Sequence, residues 1–450
     1  MRLDKYPRPT NDTGIGFHYF MDAQHYSDEH AQFWIPELKE MGASWLTLYA
    51  EFKNLIPESF VKELVENEIE PVVRITPPHI QPLNQGTLFS QLKAYASWGV
   101  HYVHVFNEPN IAGEWTPSDW GKPGLVERFM DILMPCLERM SDAGLYPLFT
   151  PLCQGGHYWD NTFLETALEY MVAKRKQPHF DRMAICIHNY ASNRPLTWGK
   201  GGREKWTASK PYNTPPGSQD QCGFYHFEWY DEIVRSKVGQ SLPFICGENG
   251  LIVGTRNHPS YPAVDEATHA QRVVEMTRML MNGELPDYVF NNAFWVLADD
   301  GPVDIHAWYR NGGRTLPAVD ALKTLEKRPR QFSWEQRSQA IKSSPRDKKP
   351  IYHYVLLAIS DDGPRGEDME AVASYVAKFA PTVGFSVQEA KMASRITILG
   401  SGASVSDLDE KELREAGCLV ERIECQGSRD AKRVLGGMVR REQRFYYLPE

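Results

Sequence analysis

Residues 103–110 read VHVFNEPN, and this stretch decides the fold. It begins as a short apolar run typical of a buried strand and then changes to an Asn-Glu-Pro triplet. Proline has no N–H to donate to a sheet, so we expect the strand to end here, with Glu108 at its C-terminal tip. A carboxylate in that position is poorly suited to a hydrophobic core and well suited to a cleft.

Similar short apolar runs alternate with amphipathic helical patterns over the first 327 residues. The predicted strands are 15–20, 45–50, 71–76, 102–107, 146–152, 184–190, 243–247 and 290–297. The predicted helices are 28–41, 57–67, 88–98, 125–143, 161–174, 225–238, 266–282 and 318–327. Eight such repeats predict a (β/α)₈ barrel over residues 1–327, within the usual size of that fold. An open doubly wound sheet is the alternative, and the regularity of the repeats favours closure.

The remaining chain predicts a linker and a second, smaller domain. Residues 328–350 are rich in charge and proline without an apolar period, which indicates a linker. Residues 351–450 predict a small three-stranded α/β domain, with strands at 352–359, 395–399 and 419–424. The run 396–404 passes from a strand into a Gly-x-Gly turn, but the third glycine of a nucleotide fingerprint is missing, which argues against nucleotide binding.

Composition narrows the class of protein. The net charge of −9, from 49 basic and 58 acidic residues, argues against a nucleic-acid partner. No apolar run is long enough to span a bilayer, and the first residues lack the apolar core of a signal peptide. Seven cysteines without a Cys-x-x-Cys pair favour reduced thiols, hence a cytoplasmic protein, unless a signal peptide has been removed. No zinc-type spacing is present, and no metal or cofactor is predicted.

In a barrel the active site lies at the C-terminal ends of the strands, and two of the predicted tips carry a glutamate. Glu108 ends strand four and Glu248, within Gly-Glu-Asn-Gly, ends strand seven. Two carboxyl groups roughly 5 Å apart hydrolyse glycosides with retention, one as acid/base and the other as nucleophile, whereas a separation well above about 6 Å would predict inversion.

Other polar and aromatic residues at the tips supply a surrounding for the two glutamates. Arg74 is expected to keep Glu248 charged, and the Tyr190 hydroxyl to hold it by a hydrogen bond. Asn107 is expected to bond a sugar hydroxyl, and Trp295 to form the floor of a sugar subsite. The predicted substrate-binding residues are Arg74, Asn107, His188, Tyr190, Trp295, His18 and Trp115.

Some of these residues also allow structural interpretations. Arg74 can instead pair with Glu51, and His188 or His18 can be a core histidine. Trp115 and Trp120 follow the strand-four motif closely and are expected to touch substrate. Five aromatic residues in the long loops after strands five and six either line a glycan cleft or pack those loops: His157, Trp159, Trp198, Trp206 and Tyr212.

The barrel sequence resembles the clan A glycoside hydrolases, the superfamily of the cellulase-like family 5 and the xylosidase-like family 39. The resemblance rests on Asn107-Glu108-Pro109, Gly247-Glu248, the 188–190 tip and Phe294-Trp295. It implies that Glu108 is the acid/base, that Glu248 is the nucleophile, and that Arg74, Asn107, His188, Tyr190 and Trp295 bind substrate. Residues 396–406 and 420–423 are similar to bacterial cell-wall-binding repeats of the second type, which implies a polysaccharide-targeting or structural role.

Three hypotheses follow from the sequence. The first is a retaining β-glycosidase acting on an oligo- or polysaccharide through Glu108 and Glu248. The second is a catalytically silent carbohydrate-binding barrel, and the third is a regulator that binds a nucleotide through the C-terminal unit. The presence of both carboxylates favours the first.

Overall fold

The computed structural model describes residues 2–174, 180–335, 349–359, 365–401 and 405–448. The chain divides into two compact units, Met1–Phe332 and Ser333–Glu450. The predicted linker at 328–350 includes residues 336–348, which lie outside the described residues, as do Gly402, Ala403 and Ser404 of the predicted glycine turn. Among the described residues, no helix is both long and apolar enough to cross a membrane.

The first unit is a barrel of eight parallel strands that follow one another around the ring in chain order. β7 is hydrogen-bonded to β6 and so on down to β1, which pairs with β8. Two parallel bridges, Phe244 with Val289 and Asn249 with Phe294, connect β7 with the β8 segment and close the ring. This order confirms the predicted (β/α)₈ barrel and excludes the open doubly wound sheet. The strands are β1 (Ile15–His18), β2 (Trp45–Glu51), β3 (Glu70–Thr76), β4 (Tyr102–Val105), β5 (Tyr146–Phe149), β6 (Ala184–His188), β7 (Phe244–Glu248) and β8 (Asn292–Phe294).

The longer helices cover the outside of the strands, because each of them has an apolar face that packs inward. β1, β4, β6, β7 and β8 are therefore buried along their whole length, as expected for strands covered on both sides. The helices of this unit are α1 (Asp28–Glu40), α2 (Glu58–Glu66), α3 (Gln85–Ser97), α4 (Pro117–Trp120), α5 (Leu125–Ala143), α6 (Asp160–Ala173), α7 (Gly202–Lys205), α8 (His226–Val238), α9 (Glu266–Met281) and α10 (Pro317–Thr324).

The end of β4 differs from the sequence prediction. The strand stops at Val105, two residues earlier than expected, because Phe106 has a φ of 70° and leaves the extended conformation. Glu108 also has a positive φ, 27°, so this carboxylate lies on a tight turn beyond the strand. Such backbone is costly for residues with a Cβ, and it is typical of functional sites in folded proteins.

β8 is also shorter than predicted, and Trp295 follows directly after its last residue. The segment beyond it forms a small antiparallel hairpin, β9 (Tyr309–Arg310) and β10 (Arg314–Thr315), before α10 begins. The hairpin was not predicted from the sequence. Two-residue strands are too short to produce a detectable alternation of apolar and polar residues.

The second unit is a parallel α/β sheet with helices on both faces. Four strands are present rather than the predicted three, in the order β12-β11-β13-β14. The additional edge strand has only three residues, one of them glycine, which explains why the sequence pattern missed it. The strands are β11 (Ile351–Ala358), β12 (Thr382–Gly384), β13 (Ala393–Gly400) and β14 (Leu419–Ile423), and the helices are α11 (Gly366–Phe379), α12 (Val387–Ala390), α13 (Asp407–Glu415) and α14 (Ser428–Arg440).

Candidate active site

Glu108 and Glu248 meet at the C-terminal mouth of the barrel. Glu108 follows β4, and Glu248 is the last residue of β7. A carboxylate oxygen of each and a ring nitrogen of His188 all lie within 4.8 Å of one another. Both carboxylates are largely buried, with 15% of the Glu108 side chain and 10% of the Glu248 side chain exposed. The barrel therefore brings together two carboxyl groups that are 140 residues apart in sequence.

Two donors hold Glu248. Nη1 of Arg74 donates to its Oε1 at 2.9 Å, and the Tyr190 hydroxyl donates to its Oε2 at 2.8 Å. Burial, followed by the charge of Glu248, raises the pKa of Tyr190 well above its usual value, so the phenol stays a donor. The alternative pairing of Arg74 with Glu51 is wrong. Glu51 is exposed and accepts a hydrogen bond from Asn54 instead.

His188 connects the two carboxylates. Its Nδ1 lies 2.8 Å from Oε1 of Glu108 and 3.6 Å from Oε2 of Glu248. Burial disfavours the charged imidazole, but the two carboxylates outweigh this cost and raise its pKa. His188 is thus buried like a core residue and is also in contact with the acidic pair. Gly247 is required beside it, because a Cβ there would lie 3.3 Å from Nε2 of His188 and 2.9 Å from the Cys186 sulfur.

The raised pKa of His188 predicts a pH-dependent contribution to stability. A pKa that is higher in the folded than in the unfolded protein stabilises the fold below the unfolded value of 6.5, and this contribution is lost as the pH rises through the folded value. We expect the free energy of unfolding of the wild type to fall over this range, and His188→Gln to lack that part of the decrease. Urea denaturation of both proteins from about pH 6 to pH 9 measures it. Identical pH profiles would contradict the prediction.

Trp295 and His18 lie side by side, and Trp295 forms part of the cavity wall. Their rings pack edge to face with centroids 4.9 Å apart. Nδ1 of His18 donates to the Tyr19 carbonyl, while its Nε2 meets no hydrogen-bond partner among the described residues. Burial lowers the pKa of His18 to about 4, so the ring is neutral near pH 7. His306 accepts a hydrogen bond from Trp295 Nε1 at 3.4 Å and also lines the cavity.

Asn107 contacts a third carboxylate that sequence reasoning missed. Its Nδ2 donates to Oε1 of Glu114 at 3.0 Å, and its buried Oδ1 has no partner among the residues the structure describes. Burial raises the pKa of Glu114, against the opposing effect of the Asn107 amide. Glu114 lies six residues after Glu108 in a short 3₁₀ helix, and only the turn at 106–108 brings it back toward the site.

Trp115 does not lie in the cleft. Its ring is 3% exposed, Nε1 donates to the Pro109 carbonyl at 2.8 Å, and Phe129 packs against it. Trp115 was expected to contact substrate, but it supports the Glu108 turn from within the protein instead. Trp120 is partly exposed and packs edge to face against His157, outside the wall of the cavity that holds the two carboxylates.

The cavity above the two carboxylates has a volume of about 400 Å³. Besides Glu108, Glu248, Tyr190 and Trp295, its wall contains residues that the sequence gave no reason to select: Cys153, Gln154, Ser192, Ile252, Thr255, Asn257, Val303 and His306. Burial, followed by the charge of Glu108, raises the pKa of the Cys153 thiol, so this sulfur is protonated. All seven cysteines are free.

The group Glu108, His188 and Glu248 has the residue types and spacing of a metal site. Both Glu248 oxygens are already engaged, however, one by the Arg74 cation and the other by Tyr190. A guanidinium within 3 Å of a ligand oxygen opposes a second cation there. The donor set therefore fits an anionic pair held by protein groups better than a metal centre.

No family model and no curated protein matches the chain. Similar solved structures include a monomeric beta-xylosidase from Caulobacter crescentus CB15, with 14% identity, 71% of this chain and 69% of that chain covered, and a TM-score of 0.45. They also include a GH128 (subgroup II) endo-beta-1,3-glucanase from Pseudomonas viridiflava, with 17% identity, coverage of 70% and 99%, and a TM-score of 0.44. The similarity of the C-terminal unit to cell-wall-binding repeats stays a prediction without support from a family model.

Proposed function

We propose that the chain is a retaining β-glycoside hydrolase that cleaves an oligo- or polysaccharide by double displacement. The observation that carries this proposal is the position of Glu108 and Glu248, with an oxygen of each within 4.8 Å of the other at the barrel mouth. Retaining glycosidases place their two carboxyl groups about 5–5.5 Å apart, whereas inverting ones leave room for a water at about 6.5–9.5 Å. The short separation favours attack by a carboxylate rather than by water.

The surroundings of the two carboxylates favour one assignment of roles. Arg74 and Tyr190 both donate to Glu248. Of Arg74, Tyr190 and His188, only His188 contacts Glu108, and it also faces Glu248. A nucleophile must remain an anion, and hydrogen bonds to the charged form stabilise it. Glu248 is therefore the nucleophile and Glu108 the acid/base.

The reaction follows from these positions in two balanced steps. Protonated Glu108 gives its proton to the glycosidic oxygen as the C1–O bond breaks, and a Glu248 oxygen attacks C1 from the opposite face. The sugar is then esterified to Glu248, and the aglycone leaves as an alcohol. Glu108, now a carboxylate, removes a proton from water as the water oxygen attacks C1, which releases the sugar and restores both groups.

The cavity suits a sugar ring next to the carboxylates. Trp295 offers an aromatic surface at the wall, and polar side chains of Gln154, Ser192 and Asn257 contribute donors and acceptors for hydroxyl groups. Its volume of about 400 Å³ lies within the usual range for small-molecule sites. Polar side chains next to one flat ring are consistent with a polyhydroxylated ligand.

The stereochemistry of the product tests the proposal. Soluble β-linked gluco-, manno- and xylo-oligosaccharides are incubated with the full chain, and proton NMR follows the anomeric signal before mutarotation. We expect the first product to be the β-anomer. The α-anomer would contradict retention, and no turnover on any of the substrates would favour the silent binding barrel. Unchanged turnover in the presence of EDTA is the control for metal-independent chemistry.

A further inference from the structure

A second cavity, of about 600 Å³, lies outside the barrel mouth. Its wall is formed by the start of α6, the loop that contains α7, and the exposed side of α8. Three tryptophans line it: Trp159, Trp206 and Trp229. Trp206 is fixed at its edge by a hydrogen bond from Nε1 to the Lys200 carbonyl, and Trp229 by one to the Gly199 carbonyl. Trp159 and Trp206 remain partly exposed, whereas Trp229 is 3% exposed and forms the floor of the wall.

An unsatisfied polar group also lies in this wall. Asn161, the second residue of α6, lines the cavity and is only 7% exposed. Its Oδ1 accepts no hydrogen bond from any residue the structure describes. A buried carbonyl oxygen without a partner is destabilising, so native proteins rarely keep one without a reason. The oxygen itself has almost no accessible surface, so a hydroxyl group of a bound ligand would satisfy it after the Asn161 amide turns toward the cavity.

The charges of the cavity wall cancel. Three carboxylates, Glu165, Glu204 and Glu232, face three cations, Arg203, Lys210 and Lys237. Several are already paired, since Lys237 Nζ lies 3.0 Å and Arg203 Nη1 lies 3.6 Å from Glu165 oxygens. A charged ligand therefore gains no net attraction. Fixed aromatic rings, together with charged side chains that neutralise one another, suit a neutral, polyhydroxylated ligand.

A series of contacts connects this cavity with the Glu108 turn. The backbone N–H of Ala112, four residues after Glu108, donates to the His157 ring. The Tyr212 hydroxyl then donates to the His157 carbonyl and accepts from the Trp159 N–H. The loops after β4, β5 and β6 thus form one continuous rim, with the two carboxylates on one side and the tryptophan cavity on the other.

From these observations we infer that the cavity is a second, non-catalytic binding site for a neutral saccharide chain. Trp206 and Trp159 provide surfaces for sugar rings, and Asn161 Oδ1 accepts a sugar hydroxyl. The inference deepens the proposed function, because it implies a polymeric substrate long enough to occupy the rim as well as the barrel mouth. Binding in this cavity requires neither Glu108 nor Glu248.

The test separates the two sites by using tryptophan as a reporter. The full chain carrying Glu248→Gln is labelled with 5-fluorotryptophan, and single Trp→Phe substitutions assign the fluorine signals of Trp206, Trp295 and Trp198. Cello-, manno-, xylo- and laminarihexaose are titrated separately. We expect the Trp206 signal to shift saturably with at least one of them, and to do so also in a Trp295→Phe background. Trp198, which is buried and bonds Asp220, serves as the unmoved control.

A substitution adds a quantitative readout. Asn161→Ala removes this acceptor. We expect it to weaken saccharide binding, measured by the Trp206 signal, about fivefold, which is the effect of one ordinary hydrogen bond. Asn213→Ala is the control: it is an exposed asparagine in the loop that carries Trp206, and it does not line the cavity. Circular dichroism verifies that both variants are folded.

Each other outcome overturns the inference. If Trp206 is unmoved at about 10 mM of every hexasaccharide while Trp295 shifts, the second site is absent and the proposed function stands. If neither signal moves, no saccharide binds in this cavity, and turnover decides the proposed function separately. If only oligogalacturonate or inorganic phosphate shifts Trp206, the cavity is an anion site.

Discussion

The Glu248→Gln variant is expected to lose turnover by about 10³-fold or more, because the proposed covalent step has no nucleophile without this carboxylate. Glu108→Gln is expected to lose about 10²–10⁴-fold, the usual contribution of a positioned general acid. Initial rates on whichever β-linked oligosaccharide the wild type cleaves measure both losses. The matched control is Glu51→Gln, an exposed strand-end glutamate bonded to Asn54, which is expected to retain the wild-type rate.

Chemical rescue assigns the two roles. In Glu248→Ala, azide can take the place of the nucleophile and attack C1 directly, which yields an α-glycosyl azide from a β-glycoside with a good leaving group. In Glu108→Ala, the Glu248 ester still forms and azide then attacks it, which yields the β-glycosyl azide. The reverse pattern would exchange the roles of the two residues. Full turnover by both Gln variants would contradict the glycosidase proposal itself.

Arg74→Gln is expected to lower the free energy of unfolding by about 3 kcal/mol or more, because it leaves the buried carboxylate of Glu248 without its cation. The side chains of Arg74 and Glu248 are 6% and 10% exposed, so little solvent is present to compensate the charge. Urea denaturation measures the loss. This prediction depends only on the charge pair, and it holds whether or not the protein is an enzyme.

The double variant Arg74→Gln/Glu248→Gln isolates the cause. Removal of both charges is expected to restore part of the lost stability, so the double variant should be more stable than Arg74→Gln alone. Lys62→Gln is the control, since Lys62 and its partner Glu58 are 47% and 51% exposed and such a pair contributes less than about 1 kcal/mol. A double variant no more stable than Arg74→Gln would show that the Glu248 charge is not responsible.

Local sequence patterns were sufficient to predict the barrel and to place Glu108 and Glu248 at its mouth. The alternation of strand and helix patterns depends on neighbouring residues only, so the order β1 to β8 could be predicted from the chain. The tips of β4 and β7 were recognisable because Asn107-Glu108-Pro109 and Gly247-Glu248 follow apolar runs directly. Arg74 and Tyr190 were predicted to hold Glu248, and both are found bonded to it.

The positions of side chains that depend on loop geometry could not be predicted from the sequence. Trp115 was expected in the cleft, and it is in the core because the turn at 106–108 directs the following helix back under Pro109. The same turn brings Glu114 to Asn107, and the loops after β5 and β8 bring Cys153 and His306 to the cavity. No sequence spacing encodes these approaches, because they arise from contacts between segments far apart in the chain.

The sequence by itself therefore determined a (β/α)₈ barrel with Glu108 and Glu248 at its mouth, since strand periodicity and the position of a carboxylate after a strand are local properties. Only the tertiary structure decided that the two carboxylates approach within 4.8 Å, that His188 lies between them, and that Trp159 and Trp206 line a cavity of their own. The physical reason is that distances between side chains depend on ring closure and loop packing, which no single segment determines.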